Sequence, residues 1–301
     1  MIKSVIPLKL WRKIRKRLIM WKYSRVAALL KPYVEACKAG NLESFLLNKK
    51  IVFPDNAKIV WQYWGQGYND GDVPELVRIC LASVDKYVTD CTIIRLSDQN
   101  LSQYIDLPQI LLKKKDKMPL ANFSDILRCF LLATYGGLWL DVSVLLTGKL
   151  PDMLFKQNFF MYQRDPNELY KKYWENSFAY YWGWGEKFKV NTLVGIMYAK
   201  PNNNIVGDFC KILMSFWKRN DKLPDYFLFQ ILIDVYKQDN PEWKIPVVSD
   251  TIPHLLRQKI NGDYPYATIE EILNLTTIHS LSRKNDEAVD KLKKVLEFYG
   301  K

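Results

Sequence analysis

Ala121-Asn-Phe-Ser-Asp125-Ile-Leu-Arg128-Cys-Phe-Leu-Leu-Ala-Thr-Tyr135-Gly-Gly137-Leu-Trp-Leu-Asp141-Val-Ser143 is the stretch on which the reading of this chain turns. Ile126, Leu127, Phe130, Leu131 and Thr134 recur at helical spacing, which predicts a helix over residues 121–135. The paired glycines Gly136 and Gly137 stop it. Residues 138–140 then read as a short strand that delivers Asp141 to its end. Asp125 and Arg128 stand three residues apart and share one side of the helix. A carboxylate directly after Gly-Gly-Leu-Trp-Leu is costly to bury without a cationic partner. Spacing alone leaves two readings open. Asp141 either caps a turn and pairs with Arg128, or faces a divalent cation that bridges a nucleotide diphosphate.

Working outward, residues 57–64 (AKIVWQYW) read as a buried strand ending at Gly65 and Gly67. Pro74 opens a helix to about Tyr87, with Leu76, Val77, Cys80, Leu81 and Val84 on its inner face. Residues 91–96 (CTIIRL) read as a second strand, with Ser97 or Asp98 available to cap the next helical segment, and 113–117 as a basic loop. Further strands are predicted at 144–146, 159–162 and 192–199, and helices at 204–218, 225–236 and 286–299. Short apolar strands alternating with helices predict an α/β layered domain. Such sheets bind ligands at the carboxyl ends of their strands, where Asp141 lies.

The chain has 301 residues, 49% hydrophobic and 25% charged, the composition of a folded protein with a sizeable core. Cys37, Cys80, Cys91, Cys129 and Cys210 are widely spaced and form no metal-ligand pattern, so reduced, mostly buried thiols are expected. No apolar run is long and uninterrupted enough for a membrane span, and no signal-peptide pattern follows the basic start. A cytoplasmic protein is expected. The net charge of +12 is concentrated at the N-terminus: Lys3, Lys9, Arg12, Lys13, Arg15, Lys16, Arg17, Lys22, Arg25 and Lys31 precede the first acid, Glu35. Leu8, Leu10, Trp11, Ile14, Leu18 and Trp21 are interleaved with them. A basic helix carrying Trp and Leu fits an anionic membrane surface. A merely solvated helix and a nucleic-acid-binding segment are the competing readings. No helix-turn-helix, zinc-finger or RNA-binding signature accompanies the charge, so nucleic acid is not an expected partner. GxGxxG, P-loop, Ser-His-Asp and zinc motifs are absent as well.

The segment quoted first resembles the A-x-x-S-D-x-x-R…Y-G-G-x-Y/W-x-D-x-D/S/T core of the glycosyltransferase family 32 group, which includes the bacterial capsular polysaccharide synthesis proteins. Residues 58–65 (KIVWQYWG) look like that family's first strand, and LSDQN at 96–100 followed by YIDLP at 104–108 fits its capsular subgroup. The resemblance implies a GT-A-type, Rossmann-like domain with a mixed central sheet over residues 56–301. Its donor half would span about 56–150, its acceptor half 151–285 and a C-terminal helix 286–301, behind a basic N-terminal region at 1–55. It further implies a retaining transferase that moves a hexose, glucose or galactose, from a UDP-sugar in capsular or surface polysaccharide synthesis. The basic N-terminus adds the expectation of a lipid-linked oligosaccharide acceptor at the inner face of the plasma membrane.

By the same resemblance, Gln62, Tyr63 and Trp64 hold the base, and Ser97, Ser124 and Gly137 belong to the donor site. Asp125 accepts hydrogen bonds from donor hydroxyls with Arg128 beside it. Asp141 serves the ribose and a Mn²⁺ or Mg²⁺ ion, together with Ser143 and His279. Ser280, Arg283 and Lys284 meet phosphate oxygens. Asn191, Thr192, Asp225, Tyr226 and Gln230 face the acceptor. Ser143 stands where the family pattern has a second carboxylate, and a hydroxyl is a poorer ligand for a hard cation. Residues 180–185 (YYWGWG) either stack on sugar or pack in the core, and His254 reads as structural. Two other classes stay open: a nucleotide-sugar-binding protein without turnover, favoured by Ser143, and a basic nucleic-acid-binding module.

Overall fold

The structure, a computed structural model, describes residues 7–44, 48–55, 57–69, 71, 73–238, 240, 243–262, 264–282 and 287–301. Among these, the strands are β1 (Ile59–Tyr63), β2 (Thr92–Leu96), β3 (Gly137–Leu140), β4 (Val144–Leu146), β5 (Phe159–Gln163), β6 (Thr192–Ala199) and β7 (Ile278–Ser280). The helices are α1 (Leu8–Lys38), α2 (Glu75–Tyr87), α3 (Gln109–Lys114), α4 (Leu120–Tyr135), α5 (Met153–Lys156), α6 (Lys171–Ser177), α7 (Asn204–Arg219), α8 (Leu228–Gln238), α9 (Leu255–Gly262), α10 (Ile269–Leu275) and α11 (Glu287–Phe298).

The central sheet has the order β2-β1-β3-β6-β5. β1 pairs in parallel with β2 and β3, while β6 runs antiparallel between β3 and β5. Helices surround this mixed α/β sheet, as the strand–helix alternation predicts. The parallel pairing of β1 and β3 brings Trp64 and Asp141 to the same edge. β4 and β7 form a separate antiparallel pair, with Leu145 opposite His279.

Local chemistry sets these elements. α4 starts after Pro119 and ends at Gly136, whose φ is +69°, followed by Gly137 at +101°. Both values favour glycine. A Cβ on Gly137 would also lie 2.6 Å from the carbonyl of Ile59, so the bare backbone is what lets β3 close against β1. α4 is apolar nearly all round and is buried accordingly, with Phe123, Ile126, Leu127 and Phe130 in the main core.

α1 buries Ile19, Tyr23, Val26, Leu30, Val34 and Cys37, spaced three or four apart, in that same core, against α7 and α8. Its opposite side leaves Leu10, Leu18, Trp21 and Leu29 exposed. No described helix is long and apolar enough to cross a membrane.

Two segments depart from the predicted elements. Residues 113–117 are not a loop: α3 runs to Lys114 and a 3-10 turn continues it to Lys117, because Pro108 starts a helix there. Lys114 Nζ is drawn inward by Asn220 O (3.0 Å) and Asp221 (2.9 Å). The helix expected from 225 begins only at Leu228, since Asp225 Oδ1 takes the N–H of Phe227 at 2.7 Å in a local turn.

Candidate active site

The carboxyl ends of β1 and β3 open onto a cavity of about 1060 Å³. Tyr63 at the end of β1, with Trp64 and Gly65 after it, enters its wall, and Asp141, Val142 and Ser143 follow β3. α4 contributes Ser124, Asp125 and Arg128, and β6 contributes Leu193, Val194 and Gly195. The facing wall carries Tyr181, Trp182, Tyr226, Phe227, Gln230, His254 and Arg257.

Asp141 lies on the same face of its strand as Trp139, two residues earlier. Trp139 Nε1 donates to Oδ1 of Asp141 at 2.7 Å, and Arg128 Nη2 reaches the same oxygen at 3.3 Å. The backbone N–H of Asp141 donates to Gly195 O at 2.8 Å. Oδ2 has no partner among the described residues, and the side chain stays 39% exposed at the cavity. One oxygen is thus paired with Arg128, as the first of the two readings expects, and the other remains available to a ligand.

Arg128 is buried and fully engaged. It donates to Ser124 O and Ser124 Oγ (both 3.3 Å) and to Val194 O, and its guanidinium lies over the Trp139 ring. It also pairs with Asp125 at 3.4 Å. Burial pushes the Asp125 carboxyl up to about 7, with the Asp141 charge adding to the rise and Arg128 opposing it.

Behind the facing wall, Arg164 holds Asp250 through two hydrogen bonds (2.8 and 2.9 Å) and donates to the carbonyls of Gly183 and Tyr181. Its guanidinium packs against the rings of Tyr181, Trp182 and Trp184. Of residues 180–185, Tyr181 and Trp182 pack in the core, as one of the two readings expects, and both also form cavity wall. His254 Nδ1 lies 2.7 Å from Asp250 O, and a carbonyl only accepts, so Nδ1 carries the proton and Nε2 is an acceptor. Burial lowers its pKa to about 4, so it is neutral at physiological pH. The structural reading of His254 is incomplete, because its ring also lines the cavity.

Of the residues proposed from sequence, Tyr63, Trp64, Ser124, Asp125, Arg128, Asp141, Ser143, Tyr226 and Gln230 come together at the cavity. Gln230 lines the cavity, but its Oε1 is buried and has no hydrogen-bond partner among the described residues. The others lie elsewhere. Gln62 alternates to the opposite face of β1 and accepts from Arg95 at 3.2 Å. Ser97 is buried in a turn, where its hydroxyl accepts from Gln99 N. Gly137 serves the close approach of β3 to β1. Asn191 is tied to Asp234 at 2.6 Å and Thr192 is enclosed in β6. Asp225 is buried against Lys22 at 2.7 Å, leaving the cavity to its neighbours Tyr226 and Phe227.

His279, expected at the metal, is buried on β7 opposite Leu145 of β4, where Nε2 meets Thr147 Oγ1 at 3.0 Å and burial depresses its pKa to about 3. Ser280 is also off the cavity, whose wall takes Leu281 and Ser282 instead. Arg283 and Lys284 lie outside the described residues.

Sequence reasoning missed Arg257 and Gly195. A glycine inside a strand is a signal for close backbone approach, and Gly195 has that role: a Cβ there would sit 2.6 Å from Asp141 Oδ2. Arg257 has no motif around it. For a divalent cation the donor set is one free carboxylate oxygen beside the Ser143 hydroxyl, and no group of three His, Cys, Asp or Glu ligands occurs among the described residues. That set fits an ion carried in on phosphate oxygens rather than one held by the protein alone.

Fold and cavity define an α/β protein with a polar, aromatic-walled binding cleft at the carboxyl edge of its parallel strands. The chain belongs to the capsular polysaccharide synthesis protein family, whose model matches residues 11–300. No curated protein matches it. Among solved structures it is similar to the PaToxG glycosyltransferase, at 12% identity and a TM-score of 0.40 over 75% of this chain and 80% of that one. A glycosyltransferase involved in the glycosylation of the major capsid of PBCV-1 is similar at 12% identity and a TM-score of 0.41, over 79% of this chain and 99% of that one.

Proposed function

We propose that the protein is a glycosyltransferase that moves a hexose, glucose or galactose, from a UDP-sugar to a lipid-linked oligosaccharide in capsular or surface polysaccharide synthesis. One observation carries this reading. Asp141 is aimed by Trp139 and Arg128 into a cavity large enough for a sugar nucleotide, with one oxygen unpartnered. Membership of the capsular polysaccharide synthesis family supports the biological setting.

In this reading Tyr63 and Trp64 flank the base, and ionised Asp125 accepts hydrogen bonds from donor hydroxyls. The bond from C1 of the sugar to the phosphate oxygen breaks while negative charge grows on the leaving diphosphate. An acceptor hydroxyl attacks C1 from the leaving-group face with retention of configuration, and its proton passes to a departing phosphate oxygen. The Gln230 amide and His254 Nε2 hydrogen-bond to acceptor hydroxyls and orient them. Mn²⁺ or Mg²⁺ entering with the donor would be held by Asp141 and would add positive charge at the diphosphate.

The acceptor assignment is supported by α1. Its outward Leu10, Leu18, Trp21 and Leu29 lie among exposed Lys9, Arg12, Lys13, Arg17 and Arg25. That pattern suits peripheral binding to the anionic inner face of the plasma membrane. α1 also braces the cavity's loops, through Lys22–Asp225 at 2.7 Å and Lys16–Glu175 at 2.6 Å.

The test is a hydrolysis screen of UDP-glucose, UDP-galactose and their N-acetylated forms, with Mn²⁺ and with EDTA. Release of UDP from one donor, lost in Asp141→Asn, is the expected result. No release from any sugar nucleotide would sink the transferase reading.

A further inference from the structure

We infer that Arg257 receives the diphosphate of the donor and supplies positive charge to it as a leaving group, an inference that rests on the transferase reading above. α9 turns Arg257, Gln258 and Asn261 to the cavity. The Arg257 side chain is half-buried, and no carboxylate or hydrogen-bond acceptor among the described residues pairs with it. Burial pulls its pKa down, and among the described residues only Tyr181 opposes that. A guanidinium that loses water without gaining a counter-ion is destabilising. An arriving anion removes that penalty.

The other cavity cations are already committed. Arg128 lies between two carboxylates and donates to Ser124 and Val194. His254 is neutral. With both acids ionised, Asp125, Arg128 and Asp141 sum to one negative charge, which repels a diphosphate. Arg257 brings the described cavity to neutrality.

Its place fits the role. Arg257 borders a narrow pocket with Leu281 and Ser282, and Leu281 N donates to Ser143 O at 3.0 Å. This puts Arg257 on the Ser143 side of the cavity, where a hydroxyl contributes no charge of its own. The planar fork of arginine matches two phosphate oxygens, a geometry lysine does not reproduce.

The experiment measures binding of inorganic pyrophosphate, UDP and uridine in EDTA by calorimetry, for wild type, Arg257→Gln and Arg257→Lys. Arg257→Gln is expected to weaken pyrophosphate and UDP at least about tenfold, with uridine changed less than about twofold and Arg257→Lys in between. Wild-type affinity for pyrophosphate and UDP in Arg257→Gln overturns the inference. Equal loss of uridine in both variants marks a collapsed wall rather than a lost phosphate contact, and overturns it as well. A wild type that binds UDP through Arg257 but hydrolyses no sugar nucleotide sinks the transferase reading and leaves this contact standing. A wild type that binds neither pyrophosphate nor UDP in EDTA overturns the inference, while the transferase reading is decided by the hydrolysis screen with Mn²⁺.

Discussion

The indole N–H of Trp139 and Oδ1 of Asp141 lie 2.7 Å apart on one face of the same strand, and Arg128 stacks over that indole while reaching the same oxygen at 3.3 Å. Two donors on one oxygen fix the carboxylate and leave the other oxygen for a ligand. Trp139→Phe keeps a ring against Arg128 but removes one donor, so turnover should fall about tenfold, the worth of one hydrogen bond to a charged group. Asp141→Asn should cost at least about a hundredfold, because it removes the charge itself. UDP release by both variants, measured beside their melting curves, checks the ranking. Trp139→Phe with wild-type turnover would show that the indole does not aim the carboxylate.

Gly195 sits where any larger residue meets that same carboxylate. A Cβ at this position would lie 2.6 Å from Asp141 Oδ2 and 3.1 Å from Cγ. Oδ1 is held from the other side, so the carboxylate yields only by releasing Trp139 or Arg128. Gly195→Ala is therefore expected to lower turnover about a hundredfold, while unfolding stability changes by less than about 1 kcal/mol. Full activity in a well-folded Gly195→Ala protein would mean that the cradle is loose.

Asp125 should impose a pH dependence near neutrality. Burial raises its carboxyl to about 7, so the group is mostly protonated at pH 6 and ionised at pH 8. Only the ionised form accepts from two donor hydroxyls, so the donor KM should fall as pH rises through about 7. Asp125→Asn should flatten that profile. The linkage has the opposite sign for stability. The folded state holds this proton more tightly than the unfolded chain, so the group's contribution falls from pH 4 to pH 7 and levels off above. Denaturant melts of the wild type and Asp125→Asn across this range measure the difference.

The Arg164–Asp250 pair predicts a stability cycle. Both side chains are buried, and Arg164 also carries the carbonyls of Tyr181 and Gly183. Arg164→Met leaves the Asp250 carboxylate uncompensated and should destabilise the protein by about 3–5 kcal/mol. Arg164→Met with Asp250→Leu should recover part of that loss, since no lone buried charge remains. Urea unfolding of the three proteins decides it. A double variant at least as destabilised as Arg164→Met alone would place the stabilisation in the carbonyl contacts instead of the ion pair.

How much of this was legible in sequence differs residue by residue. α4, β3 and the glycine reversal carry their signals locally, in the spacing of Ile126, Phe130 and Thr134 and in Gly136–Gly137, so that half of the site reads directly. Side-chain direction within β1 was not legible from a run that buries both of its faces. Gln62 and Tyr63 alternate, and only Tyr63 faces the cavity. At the C-terminal end the family pattern led to His279 and Ser280, but the β4–β7 register turns His279 inward and gives the cavity Leu281 and Ser282. Arg257 and His254 reach the site by packing between elements distant in sequence, and no local pattern encodes that.

The outer face of α1 yields the membrane prediction. Leu18 and Trp21 are 55% and 59% exposed, and Arg25 lies over the Trp21 ring at 5.0 Å, a pairing of cation and aromatic suited to an anionic interface. Removing residues up to Arg25 would be a poor probe, because Ile19 and Tyr23 on the other face are core residues and Lys22 pairs with Asp225. The double substitution Leu18→Glu, Trp21→Glu spares that face, removes the apolar anchors and lowers the local positive charge. It should abolish co-sedimentation with phosphatidylglycerol vesicles while leaving UDP-sugar hydrolysis and the melting temperature unchanged. Wild-type binding should in turn weaken as salt rises, since each basic residue near the surface contributes about 1 kcal/mol through a screened field. Vesicle binding that survives both the double substitution and high salt would remove α1 as the membrane contact, and with it the support for a lipid-linked acceptor.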